Sequence, residues 1–334
     1  MSERSYRVVV DDCPFDLALS AFGGQMFRWE RLSPTTLLGL DGDRWYRIET
    51  GEGGEALPWG GARATGMNTD ARRDALRAEV HEDEPFRPVA LDVVSNASEA
   101  EFRRLLRLDD PEGEARAALI ASGPEIAPYL AATRGLRLLR PAGRVESLIS
   151  FILSANNNVP RISGMARLLG SYGREMEHGY RAFPSIEVLA RLDEGELRAK
   201  SFGYRAHSVI STARTIESRG GEPYLDSLQN HPFDELLGEL QGYRGVGPKV
   251  AECIALFAFD RTEAVPIDTH LWQALARLYP ETVHGSFTHA KARRAADALR
   301  ARFGPGAARA QSALFYDNLL NWRSRRADGN AGDT

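Results

Sequence analysis

Apolar residues alternate in the first fifty positions of this chain and recur with helical spacing through most of its second half. Segments 6–10, 27–31, 36–40 and 44–49 are β-rich or alternating, broken by Ser-Pro and Asp-Gly-Asp, and so predict an antiparallel sheet. Residues 51–68, with Gly51, Gly53, Gly54, Pro58, Gly60 and Gly61, read as a loop to which no function attaches. From about Asp92 the pattern turns helical, with candidates near 98–108, 111–122 and 124–132, then the spacing Val145, Leu148, Ile149, Ile152. Further helices are expected near 163–171, 185–191, 206–219, 233–240, 249–259, 270–278, 288–303 and 307–321. The expected fold class is α+β. An N-terminal twisted antiparallel β-sheet domain (1–95) precedes an all-α helical bundle (96–326) containing a helix-hairpin-helix motif, with its hairpin at 241–248, and a flexible tail (327–334).

The hairpin is where the pattern first points to chemistry. Phe233, Leu236, Leu237 and Leu240 form an apolar helical stripe, and Gly242, Gly245 and Gly247 then stop the helix. Without a Cβ, Gly245 and Gly247 let backbone N–H groups face a phosphate. Pro248 suits the first turn of a second helix whose positive dipole end lies at the hairpin. Lys249 follows at once, where the dipole and a dry pocket would lower its pKa and free the amine for attack; the plainer alternative is a lysine that grips phosphate. Asp268, nineteen positions on, precedes an apolar helix. It reads as an N-cap, and near a sugar it would also stabilise the positive charge of a breaking glycosidic bond.

Composition narrows the class. With 334 residues and 43% hydrophobic content the chain can bury a substantial core, and it has neither an apolar run long enough to span a membrane nor a signal-peptide core. A soluble intracellular protein is expected: cytoplasmic or nucleoid-associated in a prokaryote, nuclear in a eukaryote, and not secreted. Cys13 and Cys253 are too few for a disulfide framework or an iron–sulfur cluster, and the seven histidines include no close pair, so no metal is expected. The net charge of −4 is uneven. Residues 1–133 carry 15 Lys+Arg against 24 Asp+Glu, whereas 134–326 carry 27 against 20, so the second half has the sign that a phosphate backbone requires.

Other segments carry polar and aromatic groups suited to an unstacked base. Ser154–Met165 holds three successive amides, among them Asn156, followed by Arg161; it reads as base-edge readers or as a capped interhelical turn. Tyr204 and Arg205 place a ring beside a guanidinium, as a base-flipping enzyme needs to fill the vacated stack and hold the orphaned partner; a packed tyrosine and a solvated arginine explain them equally. Gln311 and Phe315 share a helical face, as do Lys249 and Cys253. Gly23-Gly24 permits close approach of a backbone carbonyl to a ligand, or simply a turn.

The run LQGYRGVGPK with Asp268 resembles the signature of the helix-hairpin-helix DNA glycosylases, and the lysine matches their bifunctional members. The segments GGQMFRW, SANNNVPRISGM, FGYRA, GVGPKVAEC, AVPIDTHLW and AQSALF, in that order, narrow the resemblance to the 8-oxoguanine DNA glycosylase family, across roughly residues 22–320. Tyr243-Arg244 and Phe257 depart from it, standing where Leu-Pro and methionine are familiar.

The resemblance implies excision of 8-oxoguanine, and of formamidopyrimidine guanine, opposite cytosine in duplex DNA, then β-elimination through a lysine Schiff base. It assigns Lys249 as nucleophile and Asp268 as stabiliser of the charged intermediate. Phe315 and Cys253 would sandwich the base, Gln311 would bind its pairing edge, and the Gly24 carbonyl would accept the N7–H that normal guanine lacks. Asn156, Arg161 and Arg205 would hold the orphaned cytosine with Tyr204 as wedge, and His270 would contact the DNA backbone beside Gly245 and Gly247. No cofactor is required, because the amine, the carboxylate and the pocket supply the chemistry; a monomer acting on double-stranded DNA is expected. A glycosylase for another damaged purine and a non-catalytic DNA-binding module are the rival readings.

Overall fold

The computed structural model describes residues 3–50 and 87–329. The expected connection at 51–68 lies outside them, as does the end of the expected tail; the last described helix, Ala307–Gly329, runs through 327–329.

Five antiparallel strands, β1 (Arg4–Val10), β2 (Trp29–Arg31), β3 (Thr36–Asp41), β4 (Arg44–Thr50) and β5 (Val89–Ser95), form one sheet in the order β1-β5-β4-β3-β2. The start of helical structure at Asp92 is thereby corrected. Residues 92–95 belong to β5, whose Leu91 and Val93 are buried and which pairs with both β1 and β4. Asp92 is the one charged residue on the solvent-facing side of β5, where Ala90 and Val94 are apolar, so the strand's alternation is weak in the sequence. The 27–31 segment becomes a strand only at Trp29, because Gly23 to Arg28 turns out of a short helix, Leu17–Phe22, that the pattern does not announce. One sheet face, with Val8, Val10, Tyr46, Ile48, Leu91 and Val93, packs on Phe102, Leu105, Leu106 and Leu139.

The helices that follow agree with the apolar spacing to within a few residues, including Arg144–Leu153, Arg205–Ser218, Phe233–Gln241, Pro248–Phe259, Thr269–Leu278 and His289–Phe303. The helix expected from 163 begins earlier, as Val159–Gly170, because Asn158 caps the Arg161 N–H and Pro160 sits in the first turn. Glu194–Ala199 and Glu222–Ser227 are additional single turns with only one buried apolar residue each, too little for a periodic signal. A larger apolar cluster surrounds Arg144–Leu153 and Pro248–Phe259, and a second joins Thr269–Leu278, His289–Phe303 and Ala307–Gly329.

Sheet and bundle meet through a polar latch at the β3–β4 hairpin. Gly42 takes φ +63°, as the first position of a tight hairpin turn requires. The Asp41 carboxylate accepts the Ala142 and Gly143 N–H groups, each at 2.7 Å, at the entry to Arg144–Leu153. Burial, reinforced by the nearby Glu146 carboxylate, pushes Asp41 up to about 6 despite those two donors. Glu146 in turn accepts the Gly42 N–H at 2.8 Å and both Nε and Nη2 of Arg28, at 3.0 and 2.6 Å. Arg28 and Glu146 are almost wholly buried. Arg28→Ala would strand the Glu146 charge, and we expect a loss of about 3–5 kcal/mol in urea unfolding; a loss under about 1 kcal/mol would show that the latch is not energetically coupled.

Candidate active site

A cavity of about 230 Å³ opens between the sheet-side Gly23–Gly24 turn and the helical bundle. Lys249, Cys253, Asp268, His270, Gln311, Phe315 and Gly24, seven of the residues picked out in the sequence, line it together. They come from four segments far apart in the chain.

Each segment is held for an identifiable reason. Gly247 is extended at φ −88°, ψ 179° and caps Pro248–Phe259, whose first turn presents Lys249. Positions 249, 253 and 257 lie one helical turn apart, so the amine, the thiol and the Phe257 ring share the cavity wall. Asp268 caps Thr269–Leu278, its Oδ1 accepting the Leu271 N–H at 2.8 Å. The segment leading to it is tied to the lysine's helix by Glu252, which accepts the Val265 N–H at 2.6 Å and pairs with Arg300 at 3.0 Å. Gly24 adopts φ +95°, a region strained for any side chain, and an added Cβ would sit 3.3 Å from Val159 Cγ2. Gln25 anchors that turn: its amide donates to the Ser20 and Arg137 carbonyls at 3.1 and 3.0 Å and accepts the Leu139 N–H at 2.8 Å. Gln311 is buried, with Nε2 3.4 Å from the Pro266 carbonyl.

Four aromatic residues in the wall, Phe27, Phe151, Phe257 and Tyr316, were not singled out by their own spacing. Phe257 stacks on Phe151 with centroids 5.2 Å apart and planes 13° from parallel, and Phe27 meets Phe151 edge-on at 5.4 Å. Phe257, noted only as a departure from the family pattern, is thus part of the pocket, and the four-residue spacing from Lys249 and Cys253 was the available signal. Lysine usage is a second overlooked signal. The chain contains three lysines, and arginine supplies the remaining cations. Lys200 donates to Glu196 and Tyr172, and Lys291 to the His284 and Ser286 carbonyls, which leaves Lys249 as the lysine of the cavity.

The electrostatics correct one expectation. Desolvation pulls the Lys249 ammonium pKa down, as anticipated, but its neighbours, the Cys253 sulfur and the Asp268 carboxylate, outweigh it, and the net direction is upward. Burial pushes the Cys253 thiol up as well, with Lys249 acting in the opposite sense. Near neutral pH the free cavity therefore holds an ammonium and an un-ionised thiol. The helix dipole at the hairpin does not reverse this, because a carboxylate shares the same low-dielectric space.

The remaining residues form a ridge outside the cavity. Asn156 (φ +48°) and Arg161 are exposed, and Arg161 Nη2 donates to the Ser201 carbonyl at 3.0 Å. Tyr204 is 53% exposed, with its hydroxyl donating to the Ala155 carbonyl at 2.9 Å. Arg205 differs from the expected open fork. It is buried beneath the Tyr204 ring, and its Nη2 donates to the Ala155 and Asn156 carbonyls at 2.6 and 2.7 Å, so it braces the 154–158 loop. At the hairpin, Gly245 takes φ +82° with Ser208 Oγ 2.8 Å from where a Cβ would lie, Gly247 faces open space, and Arg244 is exposed while Tyr243 is buried in the core.

A lysine at the mouth of a helix-hairpin-helix thus shares a cavity with a helix-capping aspartate, and residues 149–297 match the family described as HhH-GPD superfamily base excision DNA repair protein. Within it, the likeness is to the 8-oxoguanine glycosylase/lyases. It is 38% identical over 202 residues to the N-glycosylase/DNA lyase OGG1 of Arabidopsis thaliana, covering 58% of this chain and 54% of that one. It is 36% identical over 148 residues to the N-glycosylase/DNA lyase of Saccharomyces cerevisiae, covering 40% and 39%. These matches span about half or less of the curated relatives' length. The Clostridium acetobutylicum 8-oxoguanine glycosylase/lyase, solved with double-stranded DNA containing cytosine opposite 8-oxoG, superposes with a TM-score of 0.73 at 26% identity, over 96% of this chain and 97% of that one. The five-stranded sheet followed by a helical domain is therefore the fold of that enzyme.

If Asp268 helps hold Lys249 protonated, Asp268→Asn must shift Lys249 toward the free amine. Reductive methylation of Lys249, followed by peptide mass spectrometry across pH 7–11, should begin at lower pH in the variant. An unchanged profile would contradict the assigned cause.

Proposed function

We propose that the protein excises 8-oxoguanine, and formamidopyrimidine guanine, from duplex DNA opposite cytosine, and then nicks the abasic strand through a Schiff base on Lys249. The observation that carries this reading is the convergence of Lys249, Asp268, Cys253, Gln311, Phe315 and Gly24 on one cavity. The similarity to glycosylase/lyases along the same segments supports it.

The chemistry follows from the contents of the cavity. Lys249 first sheds its proton to Asp268, the carboxylate that lines the cavity with it, and Asp268 hands that proton on to the departing base, returning to its ionised form. The Nζ lone pair then attacks the sugar C1′ as the bond to N9 breaks; the electron pair leaves with the base, which takes up a proton. Asp268, held in place by its cap to Leu271, stabilises the positive charge developing at the sugar. Opening of the C1′–O4′ bond gives a protonated Schiff base. Loss of a C2′ proton sends electrons into C2′=C3′ and expels the 3′ phosphate, and water finally releases Lys249.

Recognition is assigned to the same walls. Phe315 and Cys253 would bracket the base and Gln311 would meet its pairing edge, while the Gly24 carbonyl accepts N7–H. Unmodified guanine offers an N7 acceptor there, so a buried carbonyl would face a lone pair. The 154–161 and 201–205 ridge, through Asn156, Arg161, Tyr204 and the braced Arg205, would fill the vacated stack and hold the orphaned cytosine. The hairpin N–H groups of Gly245 and Gly247, with His270, would grip the backbone.

Base release measured in single turnover on duplexes with 8-oxoguanine, guanine or 3-methyladenine opposite its partner tests the substrate. We expect 8-oxoguanine to be released about 10³-fold or more faster than guanine, and Asp268→Asn to slow release about 10²–10³-fold. Release of 3-methyladenine with 8-oxoguanine left intact would move the assignment to another damaged purine.

A further inference from the structure

The glycine-rich hairpin carries one side chain to which the reading above gives no role. The Val246 N–H donates to the Tyr243 carbonyl at 3.1 Å, and Gly245 takes φ +82° while Arg244 stays outside the positive-φ region. Residues 243–246 therefore form a type II turn with Arg244 at its second position, where proline presets the backbone best. Arginine forgoes that conformational advantage and supplies a cation instead.

The cation is open to solvent. Tyr243 is 3% exposed and anchors the turn in the bundle core, whereas Arg244 is exposed, and among the described residues its guanidinium makes neither an ion pair nor a hydrogen bond. The last carboxylate before the turn, Glu239, is held by Arg219 at 2.9 Å. The turn also adjoins the Tyr204 ridge. Ser208, whose Oγ lies 2.8 Å from a Cβ placed on Gly245, follows Tyr204 by four positions, one helical turn along the same face.

We propose that Arg244 is a further DNA-binding residue whose guanidinium contacts a backbone phosphate beside the hairpin N–H groups. Each phosphate neutralised in this way releases condensed counterions, so the contact adds affinity that fades with salt and reads no sequence. The inference rests on the proposed action on duplex DNA and not on which base is excised.

Binding to a duplex with a tetrahydrofuran abasic analogue across about 50–200 mM KCl is compared in wild type, Arg244→Ala, Arg244→Lys and Arg7→Ala. Arg7 is exposed on the sheet and paired with Asp92 at 2.6 Å, so its variant removes one positive charge without touching the hairpin. Arg244→Ala is expected to weaken binding about tenfold at the lowest salt and to reduce the slope of log K against log salt by about 1, with the wild-type slope kept in Arg244→Lys and Arg7→Ala. An unchanged slope in Arg244→Ala would overturn the proposal. So would an equal fall in Arg7→Ala, which would mark a long-range effect of net charge, or a fall in Arg244→Lys as large as in the alanine variant, which would show that the positive charge at 244 is not what the salt dependence registers. A wild-type protein that gives the expected slopes but releases no 8-oxoguanine would overturn the substrate reading and leave this inference standing; one that does not bind the duplex would overturn both.

Discussion

An ammonium and a carboxylate confined to one partly dry cavity set the terms for everything else in this molecule. Burial disfavours the ammonium and the neighbouring carboxylate favours it, and the result is a lysine that rests protonated. In the proposed mechanism the amine is thus stored rather than permanently armed. Entry of a sugar and departure of a base that takes up a proton would change the charge balance of the same space and so tie amine activation to an occupied site.

The pairing matters only if its two helices keep their relation, and the surrounding structure is organised to that end. Glu252 and Arg300 pin the segment before Asp268 onto the helix that bears Lys249. On the far side, Arg28, Glu146 and Asp41 fasten the sheet to the bundle, so the Gly23–Gly24 turn becomes a cavity wall. These buried polar links sit where a purely apolar contact could slide. The exposed ridge is built similarly, with Arg205 and Tyr204 both closing on the Ala155 carbonyl to fix a loop that carries Asn156 in a left-handed conformation.

Much of this was legible in the chain because it depends on local rules. The Gly-rich hairpin, Pro248 in the first turn, and Asp268 before an apolar helix each have a backbone reason to be where they are, and the motif order aligned the pocket residues before any coordinates. Illegible features were those that depend on long-range company. Strand β5 is short, and apart from Asp92 its solvent-facing positions Ala90 and Val94 are apolar, so its pattern could not distinguish sheet from helix. Arg205 reads as a free cation until a loop fifty residues away places two carbonyls against it. The direction of the Lys249 shift is a competition between burial and two neighbours, and no spacing rule ranks those magnitudes. Tyr316 and Gly23 fit each other across nearly three hundred positions, a complementarity that neither residue announces.

The central claim is that Lys249 is the amine that bonds to the sugar, and the scarcity of lysine makes it unusually open to test. Protein incubated with an 8-oxoguanine:cytosine duplex and borohydride would be digested, and the peptide bearing the reduced sugar identified by mass spectrometry, in wild type and Lys249→Gln. The account predicts a single adduct on Lys249 that disappears in the variant. An adduct on Lys200, on Lys291 or on the N-terminal amine, or one that persists at wild-type yield without Lys249, would contradict it.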